Sequence, residues 1–531
     1  MFTDSTLKLI AIALYAIILL AIGFFASKKM HDIKDYFAGG KKMGFLAVSF
    51  SARATGESAW LLLGLTGMGF ALGVNAFWVV VGELLGVGGA WIFMSRRFKR
   101  LTDRYDSITV PDYLESRLRD KTQWLRLVAA GSLLVFVPIY AGAQVHASGA
   151  AFHNFLDWNH YAGAAFGFLI VLIYITQGGF TAVVWSDVFQ GTLMVVGLVA
   201  LPIIGLLEIG GITNIIDSLR AIDPHLLTLH GPGPVGEDGA VVPNTGGWSP
   251  GTVFAVVGLA AIGIGFWGSP QVFVRYISMK SEKAILPGTI VALVWTILAD
   301  SGAVLIGIIA RAMFSEEIGP VAMKEDAVSV MAENLLPAFF SGVFIAMVLS
   351  AIMSTIDSLL VLASSAAVRD YWQKTRHPDM PDTKLISMSR TLTLILAFVA
   401  FGVGLGIMAV DKDKPIFWVV IFGWSGIAAT FCPTMILSLY WSKLTASGAK
   451  YAMIAGFLGV PLFSFAVQPL LKQLGLDQFA GYLYDLDVLL PSFVIGFAVA
   501  IVVSLLDKKG QAELVGVEDD LRFAARGSDK S

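Results

Sequence analysis

Two short stretches of this 531-residue chain set oxygen-bearing and charged side chains inside apolar surroundings. One is SARATGESAW, residues 51–60, with Arg53, Gly56 and Glu57 between MGFLAVSF and LLLGLTGMGFALG. The other is SAIMSTIDSLL, with Ser354, Thr355, Asp357 and Ser358. On a helix, Ser354, Asp357 and Ser358 share one stripe and present two hydroxyls and a carboxylate together. Hard oxygen ligands of this kind suit a bare alkali cation. A carboxylate at the centre of a bilayer costs about 2.5–3.5 kcal/mol on insertion scales, so Glu57 needs a partner or a task. If the backbone there stays helical, Arg53 and Glu57 share a face and pair. GGFTAVVWSDVFQG adds Asp187 at the start of an apolar run, where a carboxylate suits a helix N-terminus. AAIGIGFWGSP adds Gly263, Gly265, Gly268 and Pro270 to another.

The elements that must position these groups follow from composition. The chain is 56% hydrophobic and 14% charged, with a mean hydropathy of +0.75, which is the composition of a polytopic membrane protein. Apolar runs of about 20 residues, each enough to cross roughly 30 Å of hydrocarbon, number about 13. They lie near 6–27, 43–73, 75–95, 124–150, 161–178, 188–210, 249–274, 286–313, 337–368, 385–410, 416–441, 447–468 and 484–506. The first has no basic leader and no small-residue cleavage site, and so reads as a retained helix rather than a signal peptide. Cys432 alone makes an intrachain disulfide or a thiolate metal cluster impossible and reads as a small buried residue.

Alternate loops are basic. They hold Lys28, Lys29, Lys34, Lys41 and Lys42, then Arg96 to Lys121, then Arg275, Lys280 and Lys283, then Arg369, Lys374, Arg376 and Lys384. By the positive-inside rule these loops face the cytoplasm, which puts the N-terminus outside and the C-terminus inside. The outer segment 211–248 carries GPGPVGEDGAVVPNTGG, a Gly/Pro-rich surface cover, and the tail after Leu506 is too short and too charged for a folded domain. There is no G-x-x-x-x-G-K-[ST] loop for a nucleotide and no TVGYG-type filter. Nucleotide and nucleic-acid partners are therefore not expected. A secondary transporter in the lipid bilayer, rather than an enzyme, is the leading class.

Glycine and proline interrupt the second and seventh spans. Freed backbone groups at membrane depth must be buried in protein or line a wet cavity, and interruptions five spans apart point to an inverted repeat with a midplane site.

These residues resemble the sodium/solute symporter family, and within it most closely the bacterial sodium/proline symporters. The resemblance covers nearly the whole chain. Its carriers are DYFAGGKKMG, SITVPDYLESR, VFVPIYAGAQ, GGFTAVVWSDVFQG, GFWGSPQVFVRY, SAIMSTIDSLLVLASSA and FGWSGIAATFCP. It implies an all-α fold of the leucine-transporter type, a five-plus-five inverted repeat. Residues 1–42 would be the first span and its loop, 43–441 the transport core, 442–506 two peripheral helices and 507–531 a cytoplasmic tail. It implies a sodium ion held by the carbonyls of Ala54, Glu57 and Ala351 and the hydroxyls of Ser354 and Thr355. A second sodium would fall to Asp187, Ser354, Asp357 and Ser358. Substrate would meet Ser58, Ala59, Tyr140, Phe266, Trp267 and Pro270. The proline carriers place an aspartate where this chain has Gly56, with Glu57 following, and a tryptophan where it has Ile262. The activity implied is sodium-coupled import of a small organic solute, proline or a related amino acid, by alternating access in the bacterial inner membrane. A proton-coupled or monocarboxylate carrier of the same fold and a transporter-like sensor are the alternatives.

Overall fold

A chain this apolar satisfies its backbone groups in lipid only by forming helices. The computed structural model describes residues 3–28, 32–234, 240–241, 247–318, 325–410 and 415–527, excepting the side chains at 174 and 176–178. Lys29 and most of GPGPVGEDGAVVPNTGG lie outside these. Among the described residues there are 11 helical stretches long and apolar enough to cross a membrane, plus the shorter apolar helix His160–Ile173. One of the 11, Phe45–Arg104, is two crossings. Lys41 Nζ donates to the Thr102 carbonyl at 3.1 Å, so the stretch begins and ends at the same end of the bundle. Its turn falls at Gly73, whose φ of +60° suits glycine and where any Cβ would enter the Leu226 carbonyl. The fifth and sixth spans meet likewise at Gly179, φ +54° and ψ −156°, under the Tyr36 ring. The described residues thus make thirteen crossings.

The two halves pack by the same rule. The third span lies on the seventh with Gly82 against the Ala260 carbonyl and Gly86 against that of Gly263. The eighth lies on the second with Gly307 against the Thr66 carbonyl and Gly69 against that of Val304. Exchanging each span for its counterpart five places away, the third for the eighth and the seventh for the second, turns one pair into the other, as an inverted repeat requires. Without a hydrophobic drive between helices in lipid, small residues that let backbones touch hold such pairs. The eleventh span, Ile416–Tyr440, and the ninth, Ala338–Arg376, are 89% and 83% buried over their apolar windows, against 17% and 28% for the twelfth and thirteenth.

The basic end is less solvated than its sequence suggests. Arg117 is fully buried and gives Nε to the Ser438 carbonyl at 2.7 Å and Nη2 to that of Trp441 at 3.1 Å, capping the C-terminus of the eleventh span. Lys99, also buried, reaches the Ile277 carbonyl at 3.2 Å at the end of the seventh. Cations at helix C-termini offset the dipole and take up orphan carbonyls. The C-terminal tail adds to this end. Its helix Val517–Arg526 docks on this end, where Asp520 accepts from Arg104 at 2.8 Å, Arg119 at 2.7 Å and the Tyr105 phenol at 2.6 Å. Beside it, the start of the second span is clasped to the end of the seventh. Met43 N–H donates to the Ser278 carbonyl at 3.0 Å and Lys280 N–H to the Met43 carbonyl at 2.9 Å.

Candidate functional site

The second span runs as a helix from Phe45 to Ala59 except at Ser58, whose φ of 51° and ψ of −168° break it. The sequence points to Gly56 for this break, and the structure moves it two residues on. Gly56 remains helical and serves instead as the point where the Phe266 ring comes close, since a Cβ there would sit 2.7 Å from the ring. At Ser58 the released amides find partners. Ala59 N–H donates to Gln144 Oε1 at 2.9 Å, and Trp60 N–H to Ser58 Oγ at 3.4 Å. Gln144 is a residue the sequence reading passed over. Its signal was a buried amide one helical turn from Tyr140, whose phenol lies next to Ser58. A non-glycine residue held at such angles stores of order 1–3 kcal/mol and tends to mark function.

The seventh span is interrupted as expected. Helix Pro250–Ala261 tightens through Ile262–Trp267, opens at Gly268 and restarts as Pro270–Ser278, with Pro270 at the first helical position, where its missing N–H is harmless. The freed carbonyls are taken by the eleventh span. Trp424 Nε1 donates to that of Ile262 at 3.1 Å and Cys432 Sγ to that of Gly265 at 3.4 Å. Phe266 faces the break in the second span and meets Trp424 with ring centroids 5.0 Å apart. Trp267 instead turns its indole against Gly89 of the third span. Phe266, Ser58, Ala59 and Tyr140 gather around the break, and Trp267 does not join them.

The ninth span meets the second through two hydroxyls. Ser354 Oγ donates to the Ala54 carbonyl at 3.0 Å, and Thr355 Oγ1 to the Thr55 carbonyl at 3.2 Å. Both also reach the Ala351 carbonyl, at 3.2 and 3.1 Å. Ala54, Ala351, Ser354 and Thr355 are thereby brought together, all fully buried.

The Glu57 side chain goes elsewhere. It pairs with Arg53, which also lies 3.5 Å from Glu83 and 3.8 Å from Asp300. The three carboxylates come within 4.8 Å of one another, all buried, while the guanidinium stacks 4.9 Å from Phe266 and 5.4 Å from Trp295. Glu83 and Asp300 are thus paired within the bundle on one arginine.

Arg275 corrects the sequence reading outright. Grouped there with solvated loop cations, it is 1% exposed, on helix Pro270–Ser278. Nε donates to Ser51 Oγ at 3.0 Å, Nη2 to Thr55 Oγ1 at 2.6 Å, to Asp187 Oδ2 at 3.2 Å and to Ser358 Oγ, and Nη1 to the Gln271 carbonyl at 2.6 Å. Asp187 accepts from Ser51 at 2.6 Å as well. The two helix breaks are thus tied to the sixth and ninth spans.

Two broken helices meeting between inverted halves, with hydroxyls and carbonyls turned together beside the break, define a secondary transporter of the leucine-transporter fold. Comparison with known proteins gives the family. The chain belongs to the sodium:solute symporter family, whose sequence model matches residues 36–456. It is similar to the high-affinity proline transporter PutP of Bacillus subtilis, with 30% identity over 92% of this chain and 96% of that one. It is similar also to the sodium/proline symporter of Escherichia coli, 28% identical over 96% and 95%. Among solved structures, a Na+-coupled sialic acid symporter in a substrate-bound outward-open state shares the fold, with a TM-score of 0.73, 17% identity and coverage of 94% and 98%.

Proposed function

We propose that this protein is a sodium/proline symporter of the bacterial inner membrane, N-terminus outside and C-terminus in the cytoplasm, and that it catalyses no reaction. Residues 43–441 form the transport core, with 442–506 peripheral. Sodium is held by the carbonyls of Ala54, Glu57 and Ala351 and the hydroxyls of Ser354 and Thr355. Proline lies against Ser58, Ala59, Tyr140, Phe266 and Pro270. The observation that carries this reading is the pair of hydroxyls, Ser354 and Thr355, set against second-span carbonyls beside a helix break, in a chain similar along its length to proline symporters. Ordering the break around sodium would complete the substrate contacts, which couples the two ligands. A tenfold sodium gradient with ~100 mV supplies about 1.4 and 2.3 kcal/mol, roughly 500-fold accumulation at one-to-one coupling.

A proton-coupled carrier is the second reading, favoured by three carboxylates gathered on one guanidinium. The test is uptake of radiolabelled L-proline into proteoliposomes under an imposed sodium gradient, then under a proton gradient without sodium. Sodium alone driving uptake supports the proposal. Uptake driven by protons alone moves the assignment to the second reading, and no L-proline uptake under either gradient removes the substrate.

A further inference from the structure

A second group of charges lies on the other side of the break, towards the third and eighth spans. Arg53 faces Glu57 from its own helix, Glu83 from the third span and Asp300 from the eighth, and all four are at most 1% exposed. The seventh span adds the Tyr276 phenol, also buried and near enough to Arg53 to feel its charge. Among the described residues, that phenol and Arg53 Nε and Nη1 have no hydrogen-bond partner. On the substrate side, Phe266 covers the guanidinium and the charge of Glu83 bears on the Tyr140 phenol of the fourth span.

We propose that Glu57, Glu83 and Asp300 around Arg53 form a proton site linked to the sodium site, which gives up one proton when sodium binds and takes it back when sodium leaves. Charge supports it. Three carboxylates on one guanidinium would leave two negative charges uncompensated, and carboxylates within 4.8 Å of one another, away from water, do not all ionise. A metal ion among the same oxygens would lie against the guanidinium that already reaches all three, so the cation that fits is a proton. Glu57 supplies the link. Its carbonyl belongs to the sodium set of the proposed function and its carboxylate to this cluster, so sodium at the carbonyl compensates the charge that the departing proton leaves. In that step the O–H bond of one carboxyl breaks, the electron pair stays on its oxygen, and the proton passes to water entering by the route that admits sodium. The unpartnered phenol and N–H groups are the donors that would hold such a relaying water.

This inference rests on the sodium/proline reading, and the experiment separates the two. Equilibrium ²²Na⁺ binding to the purified full chain is measured from pH 6 to pH 9, and proton release on adding sodium is followed with an indicator dye in weak buffer, with choline as the control. Absence of sodium binding at every pH defeats the functional reading. Given sodium binding, the affinity is expected to rise with pH, by up to about tenfold per unit where exchange is one for one, with up to one proton released per sodium. An affinity flat across the range, with no proton released, overturns the inference. Glu83→Gln with Asp300→Asn leaves one carboxylate on one guanidinium, and this double variant should bind sodium independently of pH and release nothing. Release that persists in it comes from another acid, Asp187 beside Arg275 being one, and overturns the inference. Where the double variant does not fold, Asp300→Asn alone is measured. A profile displaced along the pH axis supports the site, whereas one that superimposes on the wild type shows the cluster to be a structural tie and overturns it.

Discussion

Arg53 holds Glu57, Glu83 and Asp300 at once, and removing one partner of a buried ionic cluster costs about 3–5 kcal/mol because charge is left uncompensated. Arg53→Met is therefore expected to lower the melting temperature in detergent steeply, and adding Glu57→Gln to recover part of the loss. An Arg53→Met protein that melts like the wild type would mean the carboxylates are held neutral by something else. Ser354 and Thr355 answer to a different readout. Each offers one hydroxyl to the locus of Ala54 and Ala351, so Ser354→Ala and Thr355→Ala should each raise the sodium concentration for half-maximal uptake, while Thr355→Ser keeps the oxygen and the wild-type value. Unshifted sodium dependence in both alanine variants takes the two residues out of the site.

At the scale of the element, helix pairs are held by backbone contact. A Cβ at Gly307 would enter the Thr66 carbonyl, whereas one at Gly406 of the tenth span meets nothing within 4 Å. Gly307→Val should thus abolish folded protein on size exclusion and Gly406→Val should not. The eleventh span is capped from outside itself, since Glu325 accepts from Phe417 N–H at 3.1 Å. Enclosure of this loop carboxyl outweighs its hydrogen bonds and pushes it from its ordinary 4.5 up to about 8. The folded state then keeps a proton that the unfolded chain releases, so stability from this contact falls as the pH rises from about 4.5 to about 8. Melting temperatures across that range should lose this slope in Glu325→Gln. Apolar length made the spans legible in the sequence; spacing singled out Ser354, Asp357 and Ser358, and only the family resemblance brought in Thr355. The break was misplaced because glycine marks where a helix can open, while Gln144, 85 positions along the chain from the amide it receives, decides where it does. Arg275 was read as a loop cation because its acceptors come from three other spans, and no local pattern encodes them.

Over the whole molecule, the basic end is where separate pieces are joined. The tail helix is held there through Asp520, Arg117 and Lys99 cap helices from neighbouring spans, and Arg275 draws the second, sixth and ninth spans onto the seventh. The opposite end is tied by fewer such contacts among the described residues, one being Lys8, which pairs with Glu333 and donates to the Phe155 carbonyl at 2.9 Å. Motion between the halves at the basic end has to part several of these ties together. The clasp between Met43 and residues 278–280 has a particular effect on how this protein responds to mutagenesis. Both of its bonds run between main-chain atoms, so replacing each side chain in turn by alanine or cysteine leaves them whole, and a conventional scan reads the segment as silent. Lys280, whose side chain is exposed, is the clearest instance. Lys280→Ala should transport normally, and Lys280→Pro, which deletes the donor, should not. A joint between the two broken helices would then be written in the part of the chain that sequence variation records least.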